Sequence, residues 1–277
     1  MPRVLRCGAY ALSLERPLIM GIVNVTPDSF SDGGHHAALP CALAHARRLL
    51  EEGADIIDIG GESTRPGAPP VSLEDERRRV LPVIEALADC RAPISIDTQK
   101  PELMAEAVCA GASLVNDVNA LRAPGALEAV RGTAAGVCLM HRKGDPRTMQ
   151  QDPRYDDVVR EVRDFLGERV DAAVRAGIDR ERLVIDPGFG FGKTAEHNLT
   201  LLRHLDTIAA LGVPVLAGLS RKSTLGKVTG RPIGERLHAG VAAALIAAEH
   251  GASLVRVHDV AATRDALVIW NAVRAAV

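Results

Sequence analysis

Aromatic side chains are almost missing from this chain: one Trp, two Tyr and four Phe make up 3% of its 277 residues. Any core must therefore be aliphatic, built from the Val, Ile, Leu and Ala that dominate a 47% hydrophobic fraction. Net charge is nearly absent too, at −2, so no global field attracts nucleic acid or an anionic membrane. No apolar run approaches the roughly 20 residues that span a bilayer, and Met1 to Leu12 lacks the apolar stretch of a secretory signal. Five cysteines, Cys7, Cys41, Cys90, Cys109 and Cys138, stand without CxxC spacing, which argues against zinc. Their odd number reads as reduced, mostly buried thiols of a cytoplasmic protein.

What the chain does have is alternation. Eight short apolar runs each end in a polar or Gly-containing segment. Leu18 to Val23 ends at Asn24, Ile56 to Ile59 at Gly60-Gly61-Glu62, and Ile94 to Ile96 at Asp97. Leu114-Val115 ends at Asn116-Asp117, Val137 to Leu139 at Met140-His141, and Leu183 to Ile185 at Asp186. Val215 to Ala217 leads to Gly218 and Ser220-Arg221-Lys222, and Leu254-Val255 to Arg256 and His258. Helical periodicity is expected over Leu39 to Glu52, Leu73 to Ala88, Pro101 to Ala110, Pro124 to Val130, Tyr155 to Ala176, Ala195 to Leu211, Ile233 to His250 and Ala262 to Ala275. Gly-Ala recurs between helix and strand at Gly53-Ala54, Gly111-Ala112 and Gly251-Ala252.

Eight strand–helix units predict an α/β fold, a (β/α)8 TIM barrel, as one domain over 1–277. Met1 to Pro17 reads as a β-hairpin closing the barrel bottom. Two connections, Thr26 to Leu39 and Glu62 to Ser72, exceed what a barrel needs. They are either tolerated surface insertions or, since both follow strands, loops covering a site on the active face.

A soluble strand has no packing reason to end repeatedly in Asp, Asn, Lys or Arg, whereas a site at the carboxyl ends of parallel strands does. Asp97 and Asp186 can each accept two hydrogen bonds from a flat N–H/NH2 edge such as that of a guanidine-like heterocycle, and Asn116 offers both donor and acceptor. For any one such Asp alone a helix cap or a structural ion pair is the better reading, and for three polar strand ends together a site is. Lys222 suits an anion or a ring heteroatom, and Ser223 either caps a helix or presents its hydroxyl to a carboxylate. Arg256 and His258 alternate on the last strand and so face one way; with Asn24 and Arg65 they make a pyrophosphate clamp. Asn24 and Asp32 are hard oxygen ligands suited to Mg²⁺ bridging such a group. The run Asp186-Pro187-Gly188-Phe189-Gly190-Phe191-Gly192-Lys193 has glycines for close approach to a planar ligand, with Phe189 or Phe191 to pack on a ring. Its spacing is neither GxGxxG nor a P-loop.

The runs Asn24-Val25-Thr26-Pro27-Asp28-Ser29-Phe30-Ser31-Asp32-Gly33-Gly34 and Asp58-Ile59-Gly60-Gly61-Glu62-Ser63-Thr64-Arg65-Pro66-Gly67 resemble the two signatures of bacterial dihydropteroate synthases. Ile96-Asp97-Thr98, Val115-Asn116-Asp117-Val118, Asp186 to Lys193 and Ser220 to Ser223 are similar to that family's other blocks, so the resemblance spans Leu18 to Asp259. It implies condensation of 6-hydroxymethyl-7,8-dihydropterin pyrophosphate with p-aminobenzoate, giving 7,8-dihydropteroate and pyrophosphate. By that resemblance Asp97, Asn116 and Asp186 hold the pterin edge, Lys222 its other side, and Met140 and Phe191 line the slot. Asn24, Arg65, Arg256 and His258 hold the pyrophosphate, with Mg²⁺ on Asn24 and Asp32. Phe30, Thr64, Arg65, Pro66, Lys222 and Ser223 frame the p-aminobenzoate, which sulfonamides mimic in this family. Asp97, Lys222, Arg256 and His258 are the catalytic set, and a homodimer is the family's expectation. Gln99 and Asn119-Ala120 depart from the pattern beside the pterin contacts. A pterin-binding methyltransferase and a non-catalytic pterin-binding paralogue are the competing readings. The first has no use for Thr64-Arg65-Pro66 or an anion site at Ser220 to Ser223, and the second should have lost residues that are all present.

Overall fold

The computed structural model describes residues 4–26, 34–63, 70–145 and 148–276. Strands β1 (Val4–Cys7) and β2 (Tyr10–Ser13) pair antiparallel as the expected hairpin. The barrel strands are β3 (Leu18–Asn24), β4 (Ile56–Gly60), β5 (Ile94–Asp97), β6 (Leu114–Asp117), β7 (Gly136–Met140), β8 (Leu183–Asp186), β9 (Val215–Ala217) and β10 (Ala252–Val257). They form a closed barrel in the order β10-β3-β4-β5-β6-β7-β8-β9, and the paired strands run parallel. The helices are α1 (Gly34–Glu51), α2 (Leu73–Leu87), α3 (Pro101–Cys109), α4 (Ala126–Arg131), α5 (Val158–Arg175), α6 (Ala195–Arg203), α7 (Leu205–Ala209), α8 (Ser223–Thr229), α9 (Leu237–Glu249) and α10 (Val260–Ala275).

Local chemistry sets many of these boundaries. Ser72 accepts from Asp75 N–H at 3.0 Å and Asp157 from Arg160 N–H at 3.0 Å, so α2 and α5 start on side-chain caps. Pro101 opens α3, and the recurring Gly-Ala falls where the chain leaves a helix for a strand, with Gly53, Gly111 and Gly251 at φ +101°, +119° and +96°. Helix α5 buries Val158, Val162, Leu166, Val170 and Ala173, one stripe at helical spacing.

Several boundaries differ from the sequence expectation. Helix α1 begins at Gly34 rather than Leu39, and α10 at Val260 rather than Ala262. The expected Ala195 to Leu211 helix breaks at His204 into α6 and α7. Its periodicity carries no mark of the break, because Leu201, Leu202, Leu205 and Ile208 stay buried across it. The expected Ile233 to His250 helix opens with a 3-10 turn, Ile233–Glu235, before α9. Only Cys7 and Cys138 among the five free cysteines are buried; Cys41 and Cys109 are exposed, against the expectation of mostly buried thiols. Among the described residues no helix is long and apolar enough to cross a membrane.

Two apolar layers result from strand alternation. Ile19, Val23, Ile57, Ile59, Ile96, Val137, Ile185 and Val255 belong to the core shared with the helices. Leu18, Met20, Ile56, Leu114, Cys138, Val184, Leu216 and Leu254 form a separate cluster inside the barrel, completed from below by Leu5 and Cys7 of β1. The interior is thus packed, not a pore, and the hairpin seals one end.

Candidate active site

Further along, the same inward face changes chemistry, two residues on in β4 and in β6 to β10 and four on in β3, where Ile22 intervenes. Continuing the two-residue period from Met20, Ile56, Leu114, Cys138, Val184, Leu216 and Leu254 leads to Asn24, Asp58, Asn116, Met140, Asp186, Gly218 and Arg256. Asp97 joins them from β5. These are strand carboxyl ends, the end of a (β/α)8 barrel that carries chemistry.

Arg256 is the centre of one network. Its Nε donates to Asp58 Oδ2 at 2.6 Å and its Nη2 to Asp97 Oδ2 at 2.8 Å. Asp58 is fully buried, and the same Oδ2 also accepts from Asn116 Nδ2 at 3.3 Å. Burial raises the Asp97 pKa; Arg256 opposes this, and the Asp58 charge adds to it. Burial works against the Arg256 charge, but Asp58 and Asp97 outweigh it and hold the guanidinium firmly protonated. Asn24 Oδ1 and Asp97 Oδ2 flank Gly60, each 3.8 Å from where a Cβ on that residue would stand, so both reach into the same mouth.

A second network faces it. Asp186 is buried, accepts from Gly188 N–H at 2.7 Å, and has its pKa raised by burial against the pull of Lys222. Lys222 donates to Phe189 O and stands 4.8 Å over the Phe191 ring. Burial lowers its pKa to about 8, with Asp186 restoring part of the charge's stability. The loop between them is held from beneath by buried Lys193, whose Nζ donates to Gly188 O at 2.9 Å and Phe191 O at 3.1 Å and lies 2.9 Å from His141 Nδ1. Burial and Lys193 depress the His141 pKa to about 2, so this histidine is neutral.

The loop's glycines have a different purpose from the one the sequence suggested. Gly188 and Gly192 have φ +67° and +64°, and a Cβ on either would stand 1.9 Å from His141 O or 2.1 Å from Lys143 O. They admit the chain that follows β7, not a planar ligand. Phe189 is 1% exposed within the outer core, so of the two phenylalanines Phe191 alone borders the mouth.

His258 is tied to Ser220, with its N–H 3.2 Å and its Nδ1 3.0 Å from Ser220 Oγ. Arg236 donates to Arg221 O at 3.0 Å and fixes the turn in which Arg221 has φ +59°. Ser223 is the exposed first residue of α8, and Lys222 rather than Ser223 occupies the capping position.

The geometry brings together Asn24, Asp97, Asn116, Met140, Asp186, Phe191, Lys222 and Arg256, with His258 and Ser223 at the rim. Phe30, Asp32, Thr64, Arg65 and Pro66 lie outside the described residues. The sequence assigns no role to Asp58 or Lys193, and Ser220 enters only as the first residue of the Ser220 to Ser223 anion site. Asp58 had a signal, an ionisable residue inside the apolar run Ile56 to Ile59; the other two had none beyond belonging to polar loops. Among the described residues no group of three or more His, Cys, Asp or Glu could hold a metal ion.

Residues 20–258 match the family of pterin binding enzymes. A parallel barrel with this acceptor-lined mouth is therefore of the pterin-binding class. The dihydropteroate synthase of Haemophilus influenzae is 51% identical over 264 residues, covering 94% of this chain and 95% of that protein. The solved structure of Xanthomonas albilineans dihydropteroate synthase with 4-aminobenzoic acid superposes with a TM-score of 0.95 at 57% identity, covering 100% of both chains. That of Burkholderia cenocepacia dihydropteroate synthase complexed with 7,8-dihydropteroate does so at 0.91 and 53%, covering 99% of this chain and 97% of the other. The chain belongs to the dihydropteroate synthase family.

Proposed function

We propose that this barrel, one domain over 1–277, condenses 6-hydroxymethyl-7,8-dihydropterin pyrophosphate with p-aminobenzoate to give 7,8-dihydropteroate and pyrophosphate. The observation that carries this is the three buried acceptors Asp97, Asn116 and Asp186 that line the wall of one mouth, with Lys222 close to Asp186. Such a wall accepts from the N–H and NH2 groups of a flat guanidine-like edge. The relatives' complexes with 4-aminobenzoic acid and with 7,8-dihydropteroate support the second substrate and the product.

In this reading Met140 and Phe191 line the ring slot and Lys222 meets the ring's far side. Arg256 and His258, with Asn24 and Arg65, take the pyrophosphate and offset its charge as the C–O bond breaks. The carboxylates stabilise the positive charge that develops at the exocyclic methylene. The p-aminobenzoate, framed by Phe30, Thr64, Arg65, Pro66, Lys222 and Ser223, then attacks through its amine, so that a C–N bond replaces the broken C–O bond and the acidic N-aryl ammonium gives its proton to water or the departing pyrophosphate. An aryl amine is neutral at pH 7, so no strong base is needed, and none of these residues is an activated nucleophile. A Mg²⁺ carried by the pyrophosphate would need only one or two protein oxygens, since Mg²⁺ keeps phosphate and water for the rest of its shell. Asn24 Oδ1 in the mouth is one such donor, and Asp32 would be the second. When bound, Mg²⁺ neutralises charge on the leaving group. The enzyme acts in the cytoplasm as a homodimer through α9 and α10, where Ile246, Val268, Ile269 and Val273 are 46%, 55%, 65% and 70% exposed; light scattering on the purified protein tests this.

The deciding experiment supplies pterin pyrophosphate and Mg²⁺ with and without p-aminobenzoate and follows both products. Pyrophosphate release matched by dihydropteroate is the expected result. Pterin binding with neither product would replace this reading by a non-catalytic pterin binder. Asp32→Ala should raise the Mg²⁺ requirement; an unchanged dependence removes Asp32 from the ligands.

A further inference from the structure

We infer that Asp58 is a positioning residue for the pterin site, fixing from below both the place of the Arg256 guanidinium and the orientation of the Asn116 amide. The inference rests on the synthase reading for the identity of the ligand.

Asp58 sits mid-strand on β4, between Ile57 and Ile59, with Ile22 and Ser95 as its register partners on β3 and β5. The barrel order places β4 two strands from β10 and two from β6. From that midpoint a single fully buried carboxylate oxygen accepts from Arg256 Nε at 2.6 Å and from Asn116 Nδ2 at 3.3 Å. Packing gives no reason for it. A buried carboxylate is costly to desolvate, and an apolar residue of similar volume is often at least as stabilising as a buried ion pair.

The two bonds do something that an apolar residue would not. Holding Arg256 by Nε leaves the outer edge of its guanidinium to reach Asp97 and the mouth above. Taking the Nδ2 of Asn116 turns that amide so that it presents oxygen: Asn116 Oδ1 is buried and has no hydrogen-bond partner among the described residues. An amide is intrinsically either donor or acceptor toward a ligand. With Asp58 beneath it, Asn116 becomes an acceptor and matches Asp97 and Asp186 on the same wall. Asp58 therefore touches no substrate; it sets the hydrogen-bond pattern that the pterin meets.

The test is calorimetric affinity for the dihydropterin pyrophosphate together with the KM of each substrate. Asp58→Asn preserves shape but removes the charge, and it should raise the pterin Kd and KM at least about tenfold, as loss of one member of a buried charged network does. The KM for p-aminobenzoate should stay within about twofold, which general loosening of the barrel would not produce. In an Arg256→Met/Asn116→Ala background both groups that Asp58 holds are gone. Adding Asp58→Asn there, or Asp58→Leu if the Asn protein does not fold, should change the pterin Kd by less than about twofold. An undiminished loss in that background, or an unchanged pterin affinity in Asp58→Asn alone, overturns the inference. Wild-type protein that binds the pterin without forming dihydropteroate would sink the synthase reading and leave the Kd comparison standing.

Discussion

The two ends of the barrel interior are built by the same strands with the same side-chain parity, yet they obey opposite rules. At the lower end Ile56, Leu114, Cys138, Val184, Leu216 and Leu254 close on Leu5 and Cys7 of the hairpin. Two residues along each of these strands, Asp58, Asn116, Met140, Asp186, Gly218 and Arg256 occupy the equivalent positions. One end buries apolar surface for stability; the other desolvates charge, which raises the pKa of Asp97 and Asp186 and lowers that of Lys222 beside them. The lesson is that inward-facing is a geometric property and says nothing of polarity; height along the strand decides that.

The comparison breaks most visibly if the lower end is cut. Leu114→Ala removes a fully buried side chain and should cost about 2–5 kcal/mol of stability. Urea midpoints measure it, and the protein that remains folded should turn over at the wild-type rate. A fall in kcat of the folded fraction would mean that the lower layer also shapes the site.

Substitutions at the upper end should do the reverse. Lys222→Ala and Asp97→Asn should each lower turnover ~10²-fold or more, as loss of a preorganised charge does. Melting temperature should hold, because Asp97→Asn leaves Arg256 paired with Asp58 and Lys222 is itself a cation that burial disfavours. Initial rates beside thermal melts check both halves, and near-wild-type activity in the two variants would dismantle the site assignment.

How much of this was legible beforehand follows the same division. Strand positions could be read because a buried parallel strand is a short apolar run with a marked end, and the polar ends gave Asp97, Asn116, Asp186, Lys222 and Arg256. Helix limits were less legible, since α6 and α7 keep one apolar stripe across the break at His204. Pairings across the barrel were not legible at all. Alternation tells which face a residue takes, not which residue stands opposite, so the Arg256 bonds to Asp58 and Asp97, strands away around the ring, exist only in the closed barrel. Asp58 was hidden because it was counted within a run of isoleucines. The purpose of Gly188 and Gly192 was misread because a glycine admits ligand and backbone equally.

A smaller effect sharpens the electrostatic side of the contrast. Lys222 is a cation below a pKa of about 8 and neutral above it, with Asp186 and Asp97 favouring the charge, and burial and Arg256 opposing it. If the cation is the working form, kcat/KM for the pterin substrate should fall above pH 8, approaching about tenfold per unit for one deprotonation. Lys222→Arg stays charged, so it should lose this alkaline limb even if its rate is lower throughout. An alkaline limb that persists in Lys222→Arg would belong to another group.

The least effect is expected at the rim, where the contrast between the two ends fades into solvent. Ser223 is exposed and begins α8, but Lys222 holds the capping position, so removing the Ser223 hydroxyl should leave helix and melting temperature unchanged. If the hydroxyl meets the carboxylate of p-aminobenzoate, Ser223→Ala loses one hydrogen bond and raises that KM roughly threefold to tenfold. The pterin KM should not move, since the wall that holds the ring lies deeper in the barrel. A lower melting temperature with both KM values intact would return Ser223 to a structural part and confine the site to the buried residues beneath it.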